Sequence, residues 1–380
     1  MSEMFGGIGT DNVITKKFFH EESSFYIAYL AAKSPKFLGN YNIPAGYLVG
    51  NGFSFNEEEA KIKALGEFIE RYCAEVSVHE KEIYRYSIKE LVKKSLAFVH
   101  PNTLRPYKNC SKYPEIQDDE VISYVKGYEA LDKKEILIPA LAAFLPFKPI
   151  NLETTFFSPS ATGLSAYTNQ EQAELSALLE VQERSDLMAS WRIKNLKIQK
   201  LLTNDLPDHI TKFLYYNNFK LRLFVINQTV LAMLCHINDT GLTIGSKSGV
   251  INIITILAAI NEAIALQITM LNKRVRFNAI PKNSLEHVMY AYFNSEIFIE
   301  FYEKKVDAQL SFISENQINK NIFFVDLSTK KAKESGWYCA RCINIEAFSK
   351  ENNAYYPHLK NFFEHGFTEA ELNLLPHPFG

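Results

Sequence analysis

The sequence predicts a mixed α/β fold, and three observations support this. Apolar residues recur at helical spacing in some segments, apolar and polar residues follow strand-like patterns in others, and the two kinds of segment alternate along the chain. The 380 residues include 41 basic and 43 acidic side chains, so the net charge of -2 does not favour binding to nucleic acid or to an anionic membrane. With 47% hydrophobic residues, the chain can bury a large core.

The pattern of apolar residues predicts the individual elements. Helical periodicity covers residues 57–75, 170–191, 250–271 and 285–302. Strand-like runs cover residues 122–129, 135–144, 221–226, 230–237 and 322–327, and the first two should form a hairpin. Asn56 with Glu59, and Thr168 with Glu171, have capping-box spacing, so the first two helices should begin there. Segment 250–271 could span a bilayer by length, but its polar residues favour a buried helix of a soluble protein.

Composition gives few signs of domain boundaries or of export. No Pro-rich, Gly/Ser-rich or single-sign linker divides the chain, which favours one compact unit or two closely packed halves. The five cysteines are odd in number and scattered, which favours a reducing cytoplasm over a disulfide framework. Cys339 and Cys342 lie in a strand-like stretch, where three-residue spacing places them on opposite faces, so a zinc site is not expected.

An internal repeat is the most informative feature of the sequence. The same interval of 17 residues separates a glycine from a glutamate in three places: Gly50 and Glu67, Gly163 and Glu180, Gly245 and Glu262. Each copy predicts a glycine loop, then a helix start, then an acidic residue about halfway along the helix. Glycine and serine in such loops permit close backbone approach and offer hydroxyl donors to phosphates.

Two copies continue as the motif ExxER. The motif residues are Glu67, Glu70 and Arg71 in the first copy and Glu180, Glu183 and Arg184 in the second. Residues at i, i+3 and i+4 share one helical face, and adjacent carboxylates there repel each other unless a cation joins them. An exposed face with a Glu–Arg pair would explain either motif alone. The duplication favours carboxylates that converge on Mg²⁺, with phosphates completing its coordination.

Several segments together resemble the YcaO family. They are GNGFSFNEEEAKIKALGEFIERY at 50–72, SATGLSAYTNQEQAELSALLEVQERSD at 160–186, FFVDLSTKKAKESGWYCARCINI at 323–345 and LLPHPFG at 374–380. The chain looks like the ATP-dependent cyclodehydratases that form azoline rings in ribosomally made peptides. This resemblance implies an N-terminal segment at 1–40, followed by a YcaO domain at 41–380. We expect that domain to be a single compact unit, with glycine-loop and helix repeats around an ATP site and a proline-containing tail.

The resemblance also implies roles for individual residues. The magnesium ions that bridge the triphosphate should be held by Glu67, Glu70, Glu180 and Glu183. Nucleotide contacts are expected from Ser165, Arg184, Arg71, Gln172, Glu262 and Gln267. Five residues turn a helix by about 140°, so Glu262 and Gln267 cannot share a face. Lys247 and Arg341 are candidates for phosphate contact, with a solvent-facing lysine and a structural salt bridge as the open alternatives.

Some positions depart from the family pattern, and the C-terminal tail carries one of them. Lys63 replaces a common serine, Asn51 replaces the lysine of GKG, and Ala265 stands where a second acid would be. Gly380 ends the chain where proline is usual, so the chain is a diverged member by this comparison. The catalytic candidates are the tail residues Pro376, His377, Pro378 and Gly380. The tail would deliver its terminal carboxylate, or His377, as a base or positioning group, and for His377 alone the open alternative is a surface histidine.

The implied reaction converts Cys, Ser or Thr of a precursor peptide into a thiazoline or oxazoline. The side-chain nucleophile adds to the preceding amide carbon, the oxyanion takes the γ-phosphoryl group of ATP, and phosphate leaves with the amide oxygen. Two alternatives stay open. One is thioamide or amidine formation at the same ATP site, and the other is a scaffold that binds nucleotide or peptide without catalysis.

Partners are implied by the resemblance as well. The precursor peptide is one, and leader-peptide recognition is expected in an E1-like partner protein, because no peptide-clamp domain is evident before residue 40. An FMN-dependent dehydrogenase follows in some systems and aromatises the ring to a thiazole or oxazole, as in bacteriocin biosynthesis. We expect a homo-oligomer or a hetero-complex in the cytoplasm, without nucleic acid or membrane as a partner.

Overall fold

The structure is a computed structural model that describes residues 13–18, 24–33, 47–105, 113–150, 153–156, 159–271, 284–307, 321–348 and 360–379. The chain divides into two compact units. Unit 1 comprises Met1–Lys16, Tyr26–Val181 and Gln317–Glu346, and unit 2 comprises Lys17–Phe25, Gln182–Asn316 and Ala347–Gly380. The expected N-terminal segment at 1–40 and YcaO domain at 41–380 stay a prediction. One boundary between the units lies inside helix α4, between Val181 and Gln182, where no linker composition marks it.

Unit 1 is built on two sheets. A three-stranded sheet has the order β1 (Ile14–Phe18), β2 (Phe25–Lys33) and β3 (Tyr47–Ser54). The last residues of β1 and the first residue of β2 are assigned to unit 2. The second sheet has the order β4 (Tyr84–Ser87), β5 (Val121–Glu129), β12 (Ile322–Asp326), β13 (Tyr338–Asn344) and β7 (Leu164–Tyr167), with β6 (Glu135–Pro139) paired to β5. The helices are α1 (Glu57–Val76), α2 (Ile88–Lys93), α3 (Ala140–Ala143) and α9 (Lys330–Glu334). Apolar side chains of α1, including the buried Phe68 and Ile69, form much of the core.

Unit 2 has one antiparallel sheet and a helical layer. The strand order is β11 (Thr243–Ser248), β10 (Thr229–His236), β9 (Phe219–Ile226) and β8 (Gln199–Leu201). The helices are α5 (Asp208–Tyr216), α6 (Ile253–Leu271), α7 (Ser284–Phe293), α8 (Ser295–Glu303) and α10 (Lys360–Glu364). Helix α4 (Gln170–Arg192) begins in unit 1 and ends in unit 2, where Trp191 and Phe298 are buried in the same core.

Most predicted elements are confirmed, and the exceptions have local causes. The hairpin of β5 and β6 forms as expected, but β6 ends at Pro139, and residues 140–143 are helical. The predicted helix at 285–302 is interrupted at Asn294, whose side-chain amide donates to Tyr290 O and closes α7. Asn56 caps α1 as predicted. The capping residue of α4 is Asn169 rather than Thr168, because Asn169 Oδ1 accepts the Gln172 amide at 2.8 Å.

Helix α6 is a core helix of unit 2. Its stretch Ile253–Met270 is the one helix of the described residues with the length and composition to cross a membrane. Ala259, Ile260 and Ala263 are fully buried, and Gln267, also fully buried, accepts a hydrogen bond from Thr243 Oγ1 at 3.1 Å. Packing of this helix against β10 and β11 satisfies the expectation of a buried helix.

Candidate functional site

In unit 1, a glycine allows strand β3 to approach helix α1 closely enough to bind an acidic side chain. A Cβ atom at Gly50 would lie 2.0 Å from Ala64 O, so any other residue would push the strand away. With glycine in place, the Asn51 amide donates to Glu67 Oε2 at 2.7 Å. The strand backbone therefore fixes the first acid of the ExxER motif.

Unit 2 repeats this arrangement with strand β11 and helix α6. A Cβ atom at Gly245 would lie 2.2 Å from Ala259 O, and the Ser246 amide donates to Glu262 Oε2 at 2.7 Å. In both units the acid follows the donor by 16 residues. The expectation of glycine loops is therefore corrected: Gly50 and Gly245 lie inside strands, and their function is close packing of strand on helix.

The second copy of the repeat is built differently. Gly163 lies in a turn with φ +82°, and a Cβ atom there would meet Cys342 O at 2.4 Å. The next amide, Leu164, donates to Ala161 O rather than to an acid. The following strand β7 pairs with β13 and places the buried Ser165 opposite Ala340. The glycine of this copy therefore serves a turn and a strand pair, and the constant sequence interval does not reflect a third equivalent unit.

Acidic and basic side chains cluster around Glu70 in unit 1. Arg71 lies 3.4 Å from Glu67 Oε1 and 3.5 Å from Glu70 Oε1, as the helical spacing predicts. Burial raises the pKa of Glu70 well above its usual range, Arg71 lowers it, and the negative charge of Glu180 raises it. The Glu70 side chain is 16% exposed, so its proximity to other acids is costly while all of them are ionised.

Arg341 adds a second positive charge to this cluster from strand β13. Its Nε donates to Ala142 O at 3.0 Å and its Nη1 donates to Ser160 O at 2.8 Å. Burial lowers the pKa of Arg341 to about 10, while the charges of Glu180 and Glu70 oppose that shift. The guanidinium group is therefore held rigidly by main-chain carbonyls, and its charge acts on both acids.

A smaller cluster surrounds Glu262 in unit 2. Glu183 of α4 is 4% exposed and accepts a hydrogen bond from Ser246 Oγ at 2.8 Å. Burial raises the pKa of Glu262, Glu183 raises it further, and Arg184 and Lys247 lower it. The same residue of β11, Ser246, thus binds one acid through its amide and a second through its hydroxyl.

These side chains fit magnesium when phosphates complete its coordination. Within the described parts of the chain, no three His, Cys, Asp or Glu side chains are arranged to enclose a metal ion. Mg²⁺ in nucleotide sites usually takes one or two carboxylates and fills its other positions with water and phosphate oxygens. Glu70 with Glu180, and Glu183 with Glu262, supply carboxylates in that number, next to arginine or lysine side chains that suit phosphate.

Two expected nucleotide contacts lie away from these clusters. Gln172 is exposed in the first turn of α4, eight residues before Glu180 and thus about 12 Å along the helix. Gln267 lies in the core of unit 2, where it contacts Thr243 and His236. Helical spacing predicted that Gln267 and Glu262 lie on different faces of the helix. Because Gln267 is buried, its side-chain amide makes hydrogen bonds within the core instead.

Asp186 and Ser246 were missed by the sequence analysis. Asp186 lies one turn after Glu183, is 2% exposed, and accepts hydrogen bonds from Thr229 Oγ1 at 2.6 Å and Asn227 Nδ2 at 2.7 Å. Burial raises the pKa of Asp186 to about 6. The sequence signal for Asp186 was its position three residues after Glu183, which places both acids on the same face of the helix. For Ser246, the signal was its place directly after Gly245.

The C-terminal tail is part of the core of unit 2. His377 is fully buried and Phe379 is 2% exposed, so the alternative of a surface histidine is wrong. The ring of His377 stacks on that of His287, with centroids 3.7 Å apart and planes inclined by 3°. Pro376 is half-buried and Pro378 is buried, while Gly380 lies outside the described residues.

The two cysteines of the CxxC motif are buried in β13, which confirms the strand predicted there. Cys339 shares a hydrogen bond with Cys73 of α1, which lowers the pKa of Cys73 and raises that of Cys339. Burial raises the pKa of Cys342 as well. Cys73 and Cys339 thus contribute to the packing between helix α1 and the sheet in unit 1.

Comparisons with known proteins extend these observations. The model of the family described as YcaO cyclodehydratase, binding ATP and Mg²⁺, matches residues 51–344. No curated protein matches the sequence. Among solved structures, a heterocyclase in complex with substrate and cofactor has a TM-score of 0.70 at 14% identity and covers 99% of this chain and 56% of its own.

Two further structures are similar in fold. The Escherichia coli microcin synthetase McbBCD complex has a TM-score of 0.65 at 13% identity, with 97% of this chain and 96% of the other covered. YcaO from Methanopyrus kandleri, bound with AMPPCP and Mg²⁺, has a TM-score of 0.56 at 15% identity, with 97% and 91% covered. The chain spans about half the length of the first heterocyclase and of the heterocyclase TruD. At these identities the likeness shows the fold.

Proposed function

The chain belongs to the YcaO cyclodehydratases, a family that binds ATP and Mg²⁺, and on that premise we propose that it forms azoline rings in a ribosomally made peptide. The substrate residues are Cys, Ser or Thr of a precursor peptide, and the products are thiazolines or oxazolines. The observation that carries this proposal is the presence of buried acids in close groups, one around Glu70 and one around Glu262, each beside positively charged side chains.

Such groups of acids lower the stability of the protein without ligand, which indicates that they serve its function. Burial and mutual repulsion raise the pKa of Glu70 and of Glu262, so the protein without ligand carries a cost for keeping them ionised. A divalent cation removes that repulsion and gains two carboxylate oxygens as ligands. We therefore assign Glu70 with Glu180 to one magnesium-binding group and Glu183 with Glu262 to another, and we place Glu67, which accepts the Asn51 amide, beside the first group.

The positively charged residues are suited to hold phosphate oxygens. When bound, MgATP supplies a phosphoryl group that makes the peptide amide oxygen able to leave. Arg71 and Arg341 in unit 1, and Arg184 and Lys247 in unit 2, offset the negative charge that gathers there, and the Ser165 hydroxyl is a further candidate donor. Positioning by rigid groups, such as the doubly held guanidinium of Arg341, is a large part of such catalysis.

The tail is proposed to take the proton from the attacking side chain. Of the two candidate bases, the terminal carboxylate of Gly380 is favoured over His377. The Phe379 amide donates to His377 Nδ1 at 3.3 Å, so this nitrogen already accepts a hydrogen bond from the main chain. This hydrogen bond and the full burial of His377 make its ring less suited to take up a proton from the peptide than a terminal carboxylate.

The partners are proposed on the same basis. The microcin synthetase with a similar fold is a complex of several proteins, and the first heterocyclase is a complex with substrate. We propose that this chain acts on a precursor peptide together with an E1-like leader-binding protein, in the cytoplasm, as a homo-oligomer or a hetero-complex. An FMN-dependent dehydrogenase would act afterwards on the azoline if the ring is aromatised.

Two alternatives differ from this proposal in measurable ways. Thioamide or amidine formation would use the same acids with a different nucleophile, and it would change the peptide mass by a different amount. A non-catalytic scaffold would bind MgATP without turnover. The retention of acid groups in both units favours turnover.

The test is the mass of the precursor peptide after incubation with the protein and MgATP. Each azoline ring removes the mass of one water from the peptide. The matched control contains EDTA, which should abolish the change. An unchanged peptide together with no ATP hydrolysis would contradict the proposal and support the scaffold.

A further inference from the structure

Helix α4 binds the β10–β11 hairpin of unit 2 through two acids that lie one turn apart. Glu183 accepts the hydrogen bond from Ser246 Oγ of β11 at 2.8 Å. Asp186 accepts a hydrogen bond from Thr229 Oγ1, at the start of β10, at 2.6 Å. A spacing of three residues places both acids on one face of α4, so the helix is attached to the hairpin at two points.

Thr229 and Ser246 lie on the same face of the sheet. In the antiparallel register Thr229 pairs with Ser248 and Leu231 pairs with Ser246, and the side chains of paired residues point to one face. Leu231 follows Thr229 by two positions, so its side chain shares that face. Because Leu231 and Leu187 of α4 belong to the same buried core, this is the face that packs against the helix.

Asp186 also binds the turn that joins β9 to β10. Its Oδ1 accepts hydrogen bonds from Asn227 Nδ2 at 2.7 Å and from Gln182 Nε2 at 2.9 Å. The backbone of Asn227 has φ +51°, a conformation that asparagine tolerates better than most residues. On its other side the turn binds the end of β11, because the Gly249 amide donates to Gln228 O at 3.0 Å. Asp186 therefore acts on the position of β11 through the turn.

The hydrogen bonds of Asp186 require a carboxylate. The side chains of Thr229, Asn227 and Gln182 all donate to it, and each of its two oxygens accepts at least one of these bonds. An asparagine in its place would present a donor to one of these groups, which would then lose its acceptor. Asp186 is 2% exposed, so water cannot easily replace the lost bond.

We propose that Asp186 is a positioning residue that sets the β10–β11 hairpin against α4, so that Ser246 holds Glu183 and Glu262 where magnesium binds. Ser246 binds Glu183 through its hydroxyl and Glu262 through its amide at 2.7 Å, so a shift of the hairpin moves both acids. A displacement of about 1 Å in such a group is costly. The magnesium-binding role rests on the proposed function, whereas the position of the hairpin rests on the contacts above.

Hydrogen exchange of the full-length protein tests the position of the hairpin. Thr229→Val keeps the shape of the side chain but removes the hydroxyl that donates to Asp186, so the amides of Ser246 and Gly249 should exchange about tenfold faster. Thr229→Ser keeps the hydroxyl and should exchange at close to the parent rate. Thr240→Val is the matched control, because Thr240 is exposed at the opposite end of the same hairpin. If Thr229→Val does not fold, Thr229→Ala takes its place.

Calorimetric titration of Mg²⁺ in the presence of a non-hydrolysable ATP analogue tests the purpose of the positioning. The dissociation constant of Mg²⁺ should rise about tenfold in Asp186→Asn and in Thr229→Val. The double variant should bind little worse than either single variant, because both changes disrupt the same hydrogen bond. Thr229→Ser should retain most of the affinity, which a general loss of stability would not predict.

The outcomes separate three roles for Asp186. Parent-like exchange of the Ser246 and Gly249 amides in Thr229→Val overturns the positioning of the hairpin. Faster exchange with the parent affinity for Mg²⁺ overturns its effect on the magnesium-binding acids. A loss of affinity in Asp186→Asn but not in Thr229→Val would make Asp186 a ligand of the cation and also overturn the proposal. If the parent protein binds no Mg²⁺ with the analogue, the proposed function fails, while hydrogen exchange still decides the position of the hairpin.

Discussion

The pair β3 and α1 in unit 1 and the pair β11 and α6 in unit 2 bind a glutamate of the helix in the same way. In each, a strand glycine lies against the helix backbone, and the next amide binds a glutamate in the middle of the helix at 2.7 Å. The two pairs differ one turn later. Helix α1 continues with Glu70 and Arg71, whereas α6 has Ala265 and Leu266 at the corresponding positions.

The difference shows which part of the site must come from a single strand–helix pair. In unit 2, the second acid and the guanidinium come from α4, as Glu183 and Arg184. The strand amide and the first acid are thus built by each strand–helix pair, while the second acid can come from another helix. Loss of the second acid from α6 therefore does not imply loss of function.

The largest effect is expected from removing one acid in each unit. Glu70→Gln and Glu183→Gln keep side-chain volume but remove a charge that would bind magnesium, so peptide-dependent ATP hydrolysis should fall on the order of 100-fold to 1,000-fold. Glu58→Gln is the control, because this acid of α1 is 72% exposed. Parent-like turnover in Glu183→Gln alone would show that only the unit 1 acids are functional.

The strand glycines should be equally sensitive in the two units. Gly50→Ala and Gly245→Ala force a Cβ atom against a helix carbonyl, and each should lose about 1–3 kcal/mol or more of unfolding free energy in urea titrations. Gly66→Ala in α1 is the control, since its Cβ would have no neighbour closer than 3.7 Å, and it should gain about 0.5–1 kcal/mol. A loss of unfolding free energy in only one of these two variants would show that the two strand–helix pairs are not equivalent.

Deletion of the C-terminal tail should affect unit 2 but not unit 1, with a loss of stability comparable to that of the glycine variants. Deleting residues 376–380 removes the buried His377 and Phe379 from unit 2. Loss of Phe379 burial alone should cost about 1.5–3 kcal/mol. Hydrogen exchange should rise in α7 and stay near the parent rate in α1. Unchanged exchange in α7 would contradict the packing described for the tail.

The pH dependence should differ between the two groups of acids and is the smallest effect. A folded-state pKa above the unfolded value means that the unfolded chain releases its proton first, so stability falls as pH rises from the unfolded to the folded pKa. Without ligand, the contribution of Glu70 and Glu262 to stability should therefore decline as pH rises above about 4.5. Glu70→Gln should flatten this decline more than Glu262→Gln, because the pKa of Glu70 is raised further. Thermal unfolding at several pH values measures it, and a greater flattening by Glu262→Gln would reverse the ranking.

Local features of the fold could be predicted from sequence, and features that depend on strand pairing could not. The start of α1 follows from Asn56, and the neighbouring positions of Glu67, Glu70 and Arg71 follow from helical spacing alone. Gly163 has the same interval to an acid as Gly50. Its different function depends on β13, almost 180 residues away in sequence, which no local pattern reveals.

The site was predicted in part for the same reason. The acids were identified because they repeat, and the pairing of Glu183 with Ser246 was missed because it joins α4 to a distant strand. The burial of His377 could not be foreseen either. Proline and histidine near a terminus are usually exposed, and the partner ring of His287 lies 90 residues earlier.

Thermal unfolding with and without MgATP tests most directly the central claim that a nucleotide-bound cation joins the grouped acids. At roughly 100 times the dissociation constant, MgATP should stabilise the parent protein by about 2.7 kcal/mol, and ATP with EDTA should do much less. In Glu70→Gln and Glu183→Gln the gain should shrink, while Glu58→Gln should respond like the parent. A parent protein whose unfolding ignores MgATP, or variants that respond as fully as the parent, would contradict the claim.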